Sequence, residues 1–167
     1  MTLPTRVRSR GLLLAAVQVG VLIAVAGWMR IEEAIQPRGW VRTAPVDPDL
    51  PIRGRYVAFS LQVPAPALPA NAHRVILRVR DGRVVAAPVG PHDGNPQNAL
   101  LTTGPQGPFA QLVQPLAFFL PEHGADPSQR GPGETLWAEV TLPRQGPPRP
   151  LRLGVERQPG RIEPLSP

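Results

Sequence analysis

The stretch HRVILRVRDGRVVAAPVG, residues 73–90, contains the clearest structural signal in the sequence. Asp81-Gly82 stands between two runs rich in β-branched residues. This dipeptide is preferred in two-residue hairpin turns because both of its positions accept a positive φ. We therefore predict an antiparallel hairpin with strands at Val75–Arg80 and Arg83–Val89.

The two-residue alternation of apolar and polar side chains recurs on both sides of this hairpin. Upstream, a short strand is predicted at Trp40–Ala44 and a longer, half-buried one at Tyr56–Val63. Downstream, ETLWAEVTL (residues 134–142) and PLRLGVE (residues 150–156) predict a second hairpin. The face of the Tyr56–Val63 strand predicted to be buried carries Val57, Phe59, Leu61 and Val63.

The remaining segments give weaker patterns. Residues 90–111 are rich in Gly, Pro and Asn and predict a loop with a short strand at Ala99–Thr102. LVQPLAFFLPEHG (residues 112–124) predicts a strand that Pro115 confines to an edge, and Asp126 begins one helical turn. The predicted fold is mainly β: a small antiparallel domain over residues 40–156, a sandwich or partly open barrel, with a disordered proline-rich tail at 157–167.

The N-terminal segment predicts a transmembrane helix over residues 11–29. GLLLAAVQVGVLIAVAGW (residues 11–28) has no charge and would span about 27 Å as a helix. Arg6, Arg8 and Arg10 precede it, so the positive-inside rule places residues 1–10 in the cytoplasm. Residues 30–39 are predicted to form a juxtamembrane helix and linker. The alternative is a signal peptide, cleaved after the A-x-A site that ends at Ala26.

Composition excludes several kinds of chemistry. The chain has no cysteine, and all 18 of its basic residues are arginines. Disulfides, thiolate metal sites, P-loop lysines and Schiff-base lysines are therefore excluded. From Arg30 onward 15 arginines face 12 carboxylates, a net charge of 15 − 12 = +3, and the two signs are interleaved. This pattern predicts no nucleic-acid partner despite a pI near 11.5.

Few side chains could carry catalysis. Ser60 and Ser128 do not stand in a strand-to-helix elbow, and the loop histidines His73, His92 and His123 are widely spaced. We predict no metal site, no cofactor and no enzyme activity. The rival hypothesis is a hydrolase or ligand-binding site at which Asp47 and Asp49 converge with His92 and His123.

The most distinctive surface is predicted at DPDLPIRGRY, residues 47–56. Its aspartate–proline pairs predict a turn into the following strand, and its arginines can pair with the aspartates across that turn. Gly54 allows a bulge. The residues singled out here as interaction or structural residues are Asp47, Pro48, Asp49, Arg53, Gly54, Arg55 and Tyr56.

The segment TAPVDPDLPIRGRYVAFSL, residues 43–61, also resembles a bacterial family named for the motif G-D-Y-x-x-L-x-Y. The matching residues are Thr43, Pro45, Val46, Asp47, Pro48, Arg53, Gly54, Tyr56 and Val57. Three motif positions differ, with Arg55, Phe59 and Leu61 replacing the family's Asp, Leu and last Tyr. The membrane segment, the Asp-Gly hairpin and FFLPEHG (residues 118–124) follow in the family's order.

The resemblance implies a single-pass protein of the bacterial inner membrane with a periplasmic C-terminal domain. It also implies a multi-pass membrane partner, and it identifies no substrate or cofactor. The leading functional hypothesis is therefore a membrane-anchored accessory or interaction domain. The alternatives are the hydrolase or ligand-binding domain described above and a soluble periplasmic binder released after Ala26.

Overall fold

The computed structural model of the chain describes residues 5–46, 56–120, 131 and 133–165. Within these ranges it contains one helix and ten strands. They are α1 (Thr5–Ile35), β1 (Arg38–Pro45), β2 (Tyr56–Pro64), β3 (Arg74–Arg80), β4 (Arg83–Ala87), β5 (Gln97–Gly104), β6 (Gly107–Leu112), β7 (Leu116–Phe119), β8 (Thr135–Thr141), β9 (Arg149–Gln158) and β10 (Arg161–Pro164).

The chain forms two compact units, Met1–Gln36 and Pro37–Pro167. The first is α1, whose stretch Gly11–Glu32 has 22 residues, a mean hydropathy of 2.2 and no buried part. The helix is thus long and apolar enough to cross a membrane. It is continuous through Ala24–Ala26 and ends at Ile35.

The second unit is a closed six-stranded barrel with additional strands. Its strands follow the order β1-β4-β3-β5-β6-β2, and β1 pairs with β2 to close the ring. Among the described strands every pairing is antiparallel except β1 with β4, which is parallel at Trp40–Arg83. Strands β8, β9 and β10 extend the sheet from β1, and β7 extends it from β2. The predicted mainly-β fold after one apolar helix is confirmed.

The Asp-Gly hairpin is also confirmed. Strands β3 and β4 pair from Ile76–Ala87 to Arg80–Arg83. Asp81 and Gly82 adopt φ values of 50° and 72°, which both central positions of this tight turn require. Strand β4 ends at Ala87, two residues before the predicted Val89.

The barrel interior is apolar, and its buried side chains form one continuous cluster. The four side chains predicted to be buried on β2, Val57, Phe59, Leu61 and Val63, are all buried. They join Val41, Val75, Val84, Ala110 and Val140 from five other strands. Strand β2 pairs with β1 on one side and with β6 and β7 on the other, so its inward face forms the centre of the core.

The prediction of a loop over residues 90–111 was wrong from Gln97 onward, although the short strand predicted at Ala99–Thr102 lies within β5. Residues 97–112 form the β5–β6 hairpin, whose register runs from Ala99–Leu112 to Gly104–Gly107. Pro105 and Gln106 make its turn, and Gly107 has a φ of 103°. The glycines and prolines that suggested a loop therefore lie at the ends and the turn of a strand pair. Ala99 and Ala110 are buried on the inner face of that pair.

The prediction of a disordered tail at 157–167 was also wrong. Residues Arg161–Pro164 pair with β9, and the Leu165 amide donates to the Leu153 carbonyl at 2.9 Å. The physical reason is Gly154, because a Cβ there would lie 2.8 Å from both Ile162 Cγ2 and Trp40 Cζ3. The missing side chain lets these two residues close over the sheet. The helical turn predicted at Asp126 falls outside the described residues.

Candidate functional site

The barrel has two ends, and the sequence-predicted site belongs to one of them. We call the Tyr56 end the one where β1 finishes at Pro45, β2 begins at Tyr56 and β7 finishes at Phe119. We call the Pro37 end the opposite one, where β1 begins, β3 turns into β4 and β8 is joined to β9. At the Pro37 end the Leu142 amide donates to the Pro37 carbonyl at 2.9 Å, and the Trp40 amide donates to the Gly82 carbonyl at 2.8 Å.

Most of the predicted interaction segment falls outside the described residues. This applies to Asp47, Pro48, Asp49, Arg53, Gly54 and Arg55, and their roles stay predictions. The residues on either side of it are described: the Val46 amide donates to the Ala58 carbonyl at 3.2 Å, and Tyr56 is the first residue of β2. The segment therefore leaves and rejoins the barrel at the Tyr56 end.

An aromatic pair marks this end. Tyr56 and Phe119 are cross-strand partners in β2 and β7, with ring centroids 6.4 Å apart. Tyr56 is half-buried, whereas 65% of Phe119 is exposed. Phe119 was not singled out from the sequence, although the alternation of LAFF around Phe118 and Phe119 places one of the two outward.

A cleft lies at the same end, between β1, β2 and the start of β8. The pairing of β1 with β8 stops at Arg42–Trp137, and beyond it the Thr43 hydroxyl donates to the Leu136 carbonyl at 2.9 Å. The cleft has a volume of about 360 Å³. Backbone and side chains of β1, β2 and β8 line it, among them Pro45, Val57, Ala58, Glu134 and Thr135.

A second cleft, of about 400 Å³, lies at the Pro37 end and is lined mainly by Ile76, Leu77, Val79 and Leu142. One wall of it is fixed by Asn95. The Asn95 side-chain amide donates to the carbonyls of Pro143 (2.9 Å) and Gly146 (2.8 Å) and so holds the β8–β9 connection.

Of the four residues in the hydrolase or ligand-binding hypothesis, the structure describes only His92. His92 is exposed in the turn before Gly94, and the neighbouring Asp93 accepts bonds from the Gly90 amide (2.8 Å) and from Arg78 (3.1 Å). Asp47, Asp49 and His123 lie outside the described residues, so their convergence stays a prediction. In the part of the chain that the structure describes, no three His, Asp or Glu side chains are grouped closely enough to hold a metal ion.

Charge is distributed differently at the two ends. On the Tyr56 side of the β8–β9–β10 sheet, the Arg157 guanidinium donates to Glu134 and to Glu163, each at 2.8 Å. The bond to Glu134, followed by that to Glu163, raises the pKa of Arg157. At the Pro37 end stand the five arginines Arg38, Arg78, Arg80, Arg144 and Arg149 and the two aspartates Asp81 and Asp93. The net charge of these seven residues is 5 − 2 = +3.

Between the ends, two tryptophans on the outer face of the sheet are each covered by an arginine. Arg83 stacks over Trp137 at 5.1 Å, and Arg152 stacks over Trp40 at 5.5 Å. The Trp137 indole also donates to Glu156 at 2.9 Å. This layer is structural, because Trp137 is buried and Trp40 is half-buried under its arginine.

Comparison with known proteins finds no matching family model, no matching curated protein and no matching solved structure. The similarity of residues 43–61 to the G-D-Y-x-x-L-x-Y family therefore stays a resemblance of one motif.

Proposed function

We propose that this protein is a membrane-anchored accessory subunit of the bacterial inner membrane. In this proposal α1 crosses the membrane with the N-terminus in the cytoplasm. The barrel lies in the periplasm and presents its Tyr56 end to an extracytoplasmic part of a multi-pass membrane protein. The protein contributes binding rather than catalysis.

The observation that carries the proposal is the uncovered apolar surface of α1. Leu12, Leu13, Leu14, Leu22 and Ile23 are each at least 66% exposed, and none of the Gly11–Glu32 stretch is buried. A surface of this size is unfavourable in water at about 25 cal/mol per Å² of apolar area, and a lipid bilayer removes that cost. The three N-terminal arginines support the orientation.

The choice of partner surface is supported by Phe119. An aromatic ring that is 65% exposed and is braced by Tyr56 at 6.4 Å is the kind of anchor that dominates protein interfaces. The cleft at the same end offers a concave, partly apolar surface. The segment 47–56, which resembles the family motif, joins the barrel at the same end.

The test is affinity purification of the full-length, tagged protein from its own membranes in mild detergent, with proteomics and intact mass. We expect an uncleaved chain and a stoichiometric multi-pass partner. Phe119→Ala should reduce recovery of the partner by tenfold or more, since a buried aromatic anchor contributes about 2 kcal/mol or more to binding. Leu100→Ala is the matched control, because Leu100 is 60% exposed on β5, away from the aromatic pair.

Three results would contradict the proposal. A mature mass beginning at Gly27 would show release as a soluble protein. Recovery of the uncleaved chain alone would remove the accessory role. Equal recovery of the partner with Phe119→Ala and Leu100→Ala would move the binding surface away from the Tyr56 end.

A further inference from the structure

Within the part of the chain that the structure describes, the positive charge of the Pro37 end is only partly neutralised. Arg78 is paired with Asp93 at 3.1 Å. Arg80, Arg144 and Arg149 are exposed, and in the described part of the chain no carboxylate lies within ion-pair distance of them. Arginines so arranged repel one another unless an external anion is present.

Three separate structural elements bring these arginines to one end. Arg80 closes β3 at the Asp-Gly turn, Arg144 lies in the connection between β8 and β9, and Arg149 is the first residue of β9. The β8–β9 connection is held by Asn95, and the turn is tied to β1 through Gly82 and Trp40. The charges are therefore presented by fixed backbone.

The barrel begins at this same end, and in the sequence α1 directly precedes it. The apolar stretch ends at Glu32 and the helix at Ile35, and only Gln36 separates Ile35 from Pro37. Three helical steps and two extended ones give a chain length of about 12 Å at most from Glu32 to Pro37. A surface potential decays over about 8 Å at physiological salt, so Pro37 lies at most about one and a half decay lengths along the chain from the end of the apolar stretch.

We infer that the Pro37 end of the barrel is a docking surface for anionic phospholipid headgroups, through Arg80, Arg144 and Arg149. The inference rests on the proposed membrane anchor and adds to it a fixed orientation of the barrel relative to the membrane surface. Strand β1 has eight residues and measures about 26 Å, so docking raises the Tyr56 end by roughly that length from the lipid surface. The partner must then reach it with an extracytoplasmic segment.

Among the described residues of the Pro37 end, the two aspartates leave these charges in excess. Arg30, Glu32 and Glu33 are the charged residues of the last turns of α1 and have a net charge of −1. Added to the +3 of the Pro37 end, they leave +2. Phosphate groups match this excess, because a guanidinium can donate two parallel hydrogen bonds to one phosphate.

The test uses the full-length protein in nanodiscs of phosphatidylcholine alone or of an equimolar mixture with phosphatidylglycerol. The chain has no cysteine, so Gln145→Cys at the Pro37 end and Gln158→Cys at the other end each carry a single donor dye. Energy transfer to an acceptor on lipid headgroups reports the distance of each end from the surface. We expect phosphatidylglycerol to increase transfer from position 145 relative to position 158.

Two variants separate the docking surface from general charge. Arg144→Gln with Arg149→Gln should lower the ratio of docked to free barrel by about fivefold per arginine in the anionic nanodisc. The control is Arg74→Gln with Arg161→Gln, two exposed arginines elsewhere, and it should retain the wild-type ratio. Raising the salt to about 1 M, where the Debye length is about 3 Å, should abolish the lipid dependence.

The failures of the two proposals are distinguishable. If the protein incorporates into nanodiscs and transfer from position 145 does not depend on phosphatidylglycerol, the docking surface is wrong and the anchor stands. Equal responses of the two variants would also overturn the docking surface. If the protein does not incorporate, the anchor and the inference that rests on it are both wrong.

Discussion

At the Tyr56 side of the extended sheet, Arg157 is held between Glu134 and Glu163, whereas at the Pro37 end Arg80, Arg144 and Arg149 have no carboxylate partner among the described residues. Both arrangements are exposed, and exposed ion pairs contribute little to stability. Folding stability therefore does not account for the difference. The uneven distribution fits the two surfaces that we propose, an aromatic one for protein at the Tyr56 end and a cationic one for lipid at the Pro37 end.

The largest effect is expected from a substitution in the core. Because both ends of the barrel share that core, its loss should destabilise them together. Phe59 is 2% exposed at the centre of the core, and Phe59→Ala should lower the free energy of unfolding by about 3–5 kcal/mol. The measurement is denaturant unfolding of the full-length protein in detergent, followed by tryptophan fluorescence, to which buried Trp137 contributes. Phe119→Ala, an exposed phenylalanine paired with the same strand, should change stability by only about 0.5 kcal/mol. Similar losses in the two variants would contradict the assignment of Phe119 to the surface.

The second effect should loosen the Pro37 end alone. Asn95→Asp keeps the shape of the side chain but removes two donors and places a carboxylate against the carbonyls of Pro143 and Gly146. We expect a loss of about 1–3 kcal/mol, partly limited because Gln97 still donates to the Gly146 carbonyl at 3.2 Å.

Hydrogen exchange of the Asn95→Asp variant gives the location of that loss. Amides of residues 142–149 should exchange faster, while those of β2 and β7 should keep their protection. Asn98→Asp, an exposed change of the same type, is the control. Faster exchange throughout the barrel would mean that the two ends are not independent.

The sequence predicted those elements whose signal is local. The β3–β4 turn is specified by Asp81-Gly82, and the buried face of β2 by simple alternation. Strand β6, its pairing with β5 and strand β10 were missed because their glycines and prolines are also typical of loops; of β5 only Ala99–Thr102 was predicted. What stabilises them is contact with distant parts of the chain: the core around Ala99 and Ala110 in one case and the space above Gly154 in the other. Local propensity does not contain that information.

The candidate sites follow the same rule. The 47–56 motif was visible as sequence, and its Tyr56 lies at the end where the aromatic pair and the cleft are found. Phe119 and the separation of β1 from β8 were not predicted, because they depend on which strands become neighbours. The basic Pro37 end combines arginines as far apart as residues 80 and 149, so only the barrel topology reveals it.

A smaller effect should test how the Pro37 end is closed. Gly82 has a φ of 72°, and its carbonyl accepts the Trp40 amide at 2.8 Å, so this turn also connects β4 to β1. Gly82→Ala should cost about 1–2 kcal/mol from the left-handed backbone alone, since no atom lies within 4 Å of the added Cβ. Gly94→Ala is the control, because it also has open space and no positive φ. Equal thermal midpoints for the two variants would rule out the conformational explanation.

The smallest effect expected is the contribution of the exposed charges to thermal stability, which should have opposite signs at the two ends. Arg157→Gln removes the ion pairs with Glu134 and Glu163 and should lower the thermal midpoint at low salt. Arg144→Gln with Arg149→Gln relieves repulsion among neighbouring arginines and should raise it, provided that the detergent is uncharged and supplies no anion. Both shifts should shrink toward zero at about 1 M salt because the charges are exposed and screened. Two shifts of the same sign would mean that the Pro37 end neutralises its arginines within the protein, and the reason for assigning it to a lipid surface would then be lost.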